Sequence, residues 1–307
     1  MQQDRPLVGI ALMTGFCIAA PMGDAFAKIL GAMLPLGVLL LIRFLFQGVL
    51  LLPLAALLRR DLRLGPRLLR LTLIRTVLHI AGIGMMFEAL RYLPLADAIA
   101  IAFVMPFILL LLGYLLLGEE VGPHRLSACA VGFLGTLLVI QPNFTEVGLP
   151  ALLPLGVALN FALFILTTRA MAKEVDAIAM QGISGLMAIV ILGVILAFGP
   201  DWPMLELSAP PAEAWPFILG MGLIGSFGHL LMTWSLRFAP AATLAPIQYL
   251  EIPVSTLIGY LVFRDLPDGL AAVGIAVTIG AGLYIVQRER NLSRRQASPL
   301  PPAPPAS

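Results

Sequence analysis

The chain has 307 residues, of which 60% are hydrophobic and only 12% charged, with a formal net charge of +2 at pH 7 and a mean hydropathy of +0.98. No soluble domain of this length can hide so much apolar surface, so a soluble globular class is excluded and lipid must cover part of the chain. Its two cysteines, Cys17 and Cys129, both lie inside apolar runs and indicate neither a disulfide framework nor a metal site.

A helix crossing about 30 Å of hydrocarbon at 1.5 Å per residue needs about 20 apolar residues. In chain order, ten stretches meet this length, at 7–30, 36–58, 70–91, 94–118, 124–141, 149–171, 178–199, 214–237, 240–263 and 267–287. The connectors are short, the longest being RRDLRLGPRLLR from 59 and GPDWPMLELSAPPAEAW from 199. The first stretch carries Asp24 and Lys28 and is followed by nine more, which is unlike a signal peptide. The tail, 291–307, is basic and then proline-rich, the composition of a disordered cytoplasmic segment. The predicted fold class is an all-α polytopic membrane protein.

Basic residues set the orientation. With the N-terminus in the cytoplasm, the inner side holds Arg5, Arg59, Arg60, Arg63, Arg67, Arg70, Arg125, Arg169, Lys173, Arg237, Arg288, Arg290, Arg294 and Arg295. The outer side holds Lys28, Arg91 and Arg264, and the 199–215 loop has Asp201, Glu206 and Glu213 but neither Lys nor Arg. The expected location is the plasma (inner) membrane with both termini cytoplasmic.

GYLLLGEE at 113–120 returns as GYLVFRDL at 259–266, an offset of 146. The same offset carries Arg91 to Arg237, Pro94 to Pro240, Glu119 to Asp265 and Gln141 to Gln287, while VGIAL (8–12) meets LGVAL (155–159) with one residue of drift. The chain therefore divides into a first five-helix repeat (1–145), a second (146–290) and the tail. Five is odd, so the second repeat enters the membrane from the opposite side. Inverted repeats allow alternating access around a midplane site.

The joints RYLPLADA and RFAPAATL, the segments PFILLLLGYLLLGEE and LEIPVSTLIGYLVFRDLP, and IRFLFQGVLLLP (42–53) resemble the drug/metabolite transporter superfamily, specifically its EamA type, over about residues 5–290. Pro106 and Pro253 are out of register by one residue, so the two fourth helices need not kink identically. The resemblance implies a secondary transporter whose first, third, fourth, sixth, eighth and ninth spans line a cavity. Its nearest branch is the exporters of amino acids, aromatic ones included, with nucleotide-sugar and other metabolite carriers as the alternative.

Polar side chains at bilayer depth are costly and so mark candidate sites. His79 and His229 lie on equivalent helix faces, with Met86 and Met232 at matched positions. Each histidine points either into the cavity or into helix packing. Thr233 is one turn from His229, and Trp234 is either a stacking wall or an interfacial anchor. Asn160 and Phe164 suit a polar end and a ring of substrate. Glu251, flanked by Gln248 and Tyr249 and opposite Met105 in the other repeat, is either a proton-coupling or amine-binding group or a partner of backbone freed by Pro253. Glu88 and Asp97 read as gate or surface groups near Arg91. Arg43 pairs with one of them or snorkels outward. Few cations on the cavity helices argue for a neutral or zwitterionic substrate. The expected partners are a small-molecule substrate and the lipid bilayer. No metal-ligand cluster, phosphate loop or nucleic-acid patch appears, so no cofactor is implied, and one chain suffices for a pathway.

A rival from another class is a rhomboid-like intramembrane serine protease, since Gly182-Ile183-Ser184-Gly185 precedes His229. Such a short string arises readily in a glycine-rich chain, and the small residues also serve helix packing. A passive channel is a third option.

Overall fold

The fold is given by a computed structural model, which describes residues 5–117 and 123–297. Among these the regular structure is helical throughout. Helices α1 (Pro6–Gly31), α2 (Leu36–Leu57) and α3 (Pro66–Ala89) open the chain, and α4 (Leu95–Ala102) and α5 (Met105–Leu117) divide the fourth expected span. Helix α6 (Pro123–Val147) follows, then a 3-10 turn at Leu149–Leu152 leads into α7 (Leu153–Met171). Next come α8 (Ala177–Phe198) and α9 (Trp215–Phe238). The ninth span is divided into α10 (Ala241–Gln248), α11 (Glu251–Ile258) and a π-helical turn at Gly259–Phe263, before α12 (Gly269–Ala297). Six helices among the described residues are long and apolar enough to cross a membrane.

Local chemistry sets the starts. Proline stands in the first turn of α1, α3, α7 and α9, where its missing N–H leaves no helical bond unmade. Asp176 caps α8, its Oδ1 accepting from the N–H of Ile178 at 3.0 Å and of Ala179 at 3.3 Å. Two expectations change. Helix α12 runs to Ala297, past the 290 boundary expected for the tail, because no helix breaker intervenes before Pro299. Glu119 and residues 298–307 lie outside the described residues.

The second change concerns the two divided helices, which break at matched positions. Helix α4 ends at Ala102 and α5 starts at Met105, while α10 ends at Gln248 and α11 starts at Glu251, both pairs separated by the offset of 146. The prolines lie one residue out of register, yet each removes a backbone donor just past its break. Around the breaks the backbone closes shorter turns, with Phe103 N–H bonding both Ile99 O (3.1 Å) and Ala100 O (3.2 Å), and Ile252 N–H bonding Tyr249 O at 3.3 Å. The breaks meet in space, for the rings of Phe103 and Tyr249 lie 5.4 Å apart.

Helix α1 packs along α9, and α3 along α7; α2 packs on α8, α6 on α12, and α4 on α11. Exchanging the first half of the chain for the second turns the α1–α9 pair into the α7–α3 pair and returns α2–α8 and α6–α12 to themselves. The helix ends sort into two sets. At one end Leu90 and Leu93 cluster with Ala151, and Leu34 and Leu36 with Ala214. At the other, Arg67 pairs with Glu174 at 3.0 Å, Arg60 with Asp176 at 3.7 Å, and Arg169 donates to Leu236 O.

The α2–α8 crossing needs a backbone approach that only glycine permits. A Cβ on Gly185 would fall 2.6 Å from the Gly48 nitrogen. Gly185→Val should therefore cost about 1–3 kcal/mol of overpacking strain, read as a fall of several degrees in the melting temperature of detergent-solubilised protein. An unchanged melting temperature refutes this packing.

Candidate functional site

A cavity opens between the halves, toward the end where α1 and α3 finish and α7 and α9 begin. Its walls are largely aromatic and aliphatic: Phe16 and Ala20 from α1, Leu78, Ile83, Met86 and Phe87 from α3, Ile99 and Phe103 beside the first break, and Val157 and Phe161 from α7. The polar groups in it are Asp24, Arg43, His79, His229 and Glu251.

The floor is a layer of rings. His79 Nε2 and His229 Nε2 are 3.4 Å apart, one from each half of the chain, so one imidazole donates to the other. Phe164 lies under His79 with ring centres 4.6 Å apart, Phe44 meets His79 edge-on at 5.0 Å, and Phe16 meets His229 at 5.7 Å. Both His Nδ1 atoms lack a hydrogen-bond partner among the described residues.

Beneath that floor is a buried polar layer. Arg75, wholly buried, donates from Nε to Thr168 Oγ1 (2.8 Å), from Nη1 to Ser184 Oγ (3.0 Å) and from Nη2 to Thr233 Oγ1 (3.5 Å), and its guanidinium sits 4.4 Å from the Phe164 ring centre. Ser184 also bonds Thr76 Oγ1 at 2.6 Å. Gln181 donates to His229 O and to Thr233 Oγ1, both at 2.8 Å, and Gln47 donates to Gln181 Oε1 at 3.0 Å. Side chains of five helices thus close the chamber at its basic end.

The candidates from sequence divide accordingly. His79, Met86, His229 and Glu251 line the cavity. Phe164 and Thr233 lie beneath the floor. Asn160 donates to Gly156 O of its own helix at 3.4 Å. Trp234 packs against the Leu51, Ala55 and Ile178 cluster, away from the cavity. Gln248 and Tyr249 are buried at the second break. Glu88 pairs with Arg91 at 3.4 Å, and Lys28 donates to Leu93 O at 2.6 Å and reaches Asp265 at 3.9 Å.

Three readings are corrected. Arg43 neither pairs with Glu88 or Asp97 nor snorkels outward; it is buried, bonds Gln47 Oε1 and Ser226 Oγ at 3.4 Å each, and lies within electrostatic reach of Asp24. Gly225 makes room for it, since a Cβ there would strike the guanidinium. The scarcity of cations at depth does not hold either, because Arg43 and Arg75 both sit there, with Ser226, Thr168, Ser184 and Thr233 reaching them from other helices. The protease constellation does not form: Ser184 is held by Arg75 and Thr76, while His229 bonds His79.

An amphiphilic chamber enclosed by apolar, membrane-length helices is the architecture of a transporter embedded in the bilayer by several spans. The chain belongs to the EamA-like transporter family, whose model matches residues 7–141 and again 148–287, and so to the drug/metabolite transporter superfamily. It is 28% identical over 238 residues to a riboflavin transporter of Brucella anthropi, covering 75% of this chain and 82% of that one. It is 30% identical over 230 residues to a riboflavin transporter of Rhizobium johnstonii, covering 73% and 72%. With an S-adenosylmethionine uptake transporter of Rickettsia prowazekii the identity is 24% over 285 residues, covering 92% and 94%. One solved crystal structure superposes with a TM-score of 0.66 at 20% identity over 93% of this chain and 98% of that chain, a likeness of fold. None of these relatives bears the name of an amino-acid exporter, so that expectation gains no support and a carrier of other metabolites fits better.

His79→Phe and His229→Phe each keep a ring in the floor and remove the Nε2–Nε2 bond. A double-mutant cycle on thermal stability should return a coupling of about 1 kcal/mol. Strict additivity would show that the two imidazoles do not interact.

Proposed function

We propose that the protein is a secondary carrier of a metabolite bearing a flat, fused heteroaromatic ring and a polar tail, working by alternating access. What supports this is the cavity itself, which the rings of Phe16, Phe103 and Phe161 line beside Asp24, Arg43, Glu251 and the two histidines. Aromatic walls stack on a planar ring, and the few polar groups orient its edge. Flavin and the adenine of S-adenosylmethionine are both such rings, and the relatives are named for riboflavin and S-adenosylmethionine.

In this reading the chain crosses the membrane ten times as two inverted five-helix repeats, which the double family match and the exchange of helix pairs support. The basic end, with Arg60, Arg67 and Arg169, is cytoplasmic by the positive-inside rule, so both termini are inside and the chamber faces outward from the inner membrane. One chain holds the complete cavity. Glu251, next to the break and in the cavity wall, is the proton-responsive group, and His79, Met86 and His229 are the substrate contacts.

The deciding experiment is counterflow in proteoliposomes with riboflavin, S-adenosylmethionine and an aromatic amino acid, with and without a pH gradient. Saturable counterflow of riboflavin or S-adenosylmethionine is expected, with Glu251→Gln flattening its pH dependence. Exchange of the amino acid alone would overturn the substrate reading, and unsaturable flux would mean a channel.

A further inference from the structure

Two buried polar residues do not line the present chamber. Arg75 carries its charge among neutral hydroxyls, and among the described residues no carboxylate lies within ion-pair distance of it. Gln248 is 1% exposed, and neither its Oε1 nor its Nε2 has a hydrogen-bond partner among the described residues. A buried amide left so is destabilising, a cost that another conformation can relieve.

We infer that Arg75 and Gln248 form a second substrate subsite, uncovered when the chamber opens at the opposite end, and that it holds an anionic group of the solute, a carboxylate or phosphate. The inference rests on the alternating-access reading. When inverted repeats trade roles, each lining residue hands its place to its counterpart in the other repeat. The offset of 146 takes Met221 to Arg75, Ala102 to Gln248 and Phe87 to Thr233, and all three starting residues line the present cavity. Three apolar wall positions are thereby replaced by a guanidinium, an amide and a hydroxyl. Met105 and Glu251, counterparts of each other, line the cavity now and stay in it. Arg75 stands one turn below His79 on the same face of α3, so the floor has only to part for the guanidinium to enter the new chamber. Its fork of donors matches carboxylate or phosphate oxygens, and the hydroxyls that hold it now are replaceable neutral acceptors.

The test is charge-selective thiol labelling in a Cys17→Ser, Cys129→Ser chain carrying Thr233→Cys or Gln248→Cys, in membrane vesicles of both orientations. The reagents are a sulfonate-bearing and a trimethylammonium-bearing methanethiosulfonate, and Met221→Cys is the reference. Both new cysteines should react from the cytoplasmic side, and Met221→Cys from the outer side. Relative to the reagents' ratio at Met221→Cys, the sulfonate should be favoured by about tenfold. Arg75→Met should abolish that preference and Arg75→Lys retain part of it. Reaction only from the outer side, or from neither, removes the second subsite; reaction with no change of ratio in Arg75→Met removes its anion selectivity. Counterflow fails or succeeds independently: a lack of flavin or S-adenosylmethionine exchange with labelling as expected refutes the substrate and leaves the subsite.

Discussion

A guanidinium withdrawn from water has to be solvated by protein, and that requirement organises the closed end of this molecule. A charged side chain deep in a bilayer costs about 3 kcal/mol on insertion scales. Around Arg75 the cost is met by hydroxyls from α7, α8 and α9 and by the face of Phe164. Ser184 and Thr76 extend this layer, and Gln181 and Gln47 carry it across to α2. Because each hydroxyl serves only in register with the others, the layer holds the five helices at one spacing and seals one end of the cavity.

Above the seal lies the cavity. In the seal side chains bond one another, and in the cavity Phe16, Phe161 and Met86 line free space. The His79–His229 pair divides the two regions, joining one half of the chain to the other through a single bond between rings. One bond between rings is a slighter closure than the Arg75 layer, which is held by several hydroxyls at once.

The helix breaks add a second constraint. Backbone exposed inside a membrane must find internal partners. Both breaks satisfy this by tightening into shorter turns. Met105 and Glu251 start the helices that follow, which puts the acid at the edge of the cavity and not against lipid.

Part of the site was legible because a polar residue at bilayer depth is conspicuous in an apolar run: His79, His229 and Glu251 are found this way, and Met86 by its helical spacing. The 146-residue repeat showed that the two divided helices correspond. Arg43 was noticed but given the wrong partners, and Asp24 and Arg75 escaped, because nothing in a residue's own run reveals which distant residues surround it. Ser184 shows the opposite error, since a local string suggested a nucleophile where the hydroxyl only solvates Arg75. Composition, apolar lengths and repeat determined that this is a helical membrane protein with related halves, because lipid imposes those features on every span separately. Which polar residues meet, which end is sealed and where the cavity lies were decided only by tertiary structure, because burial beside a partner depends on how helices far apart in sequence cross.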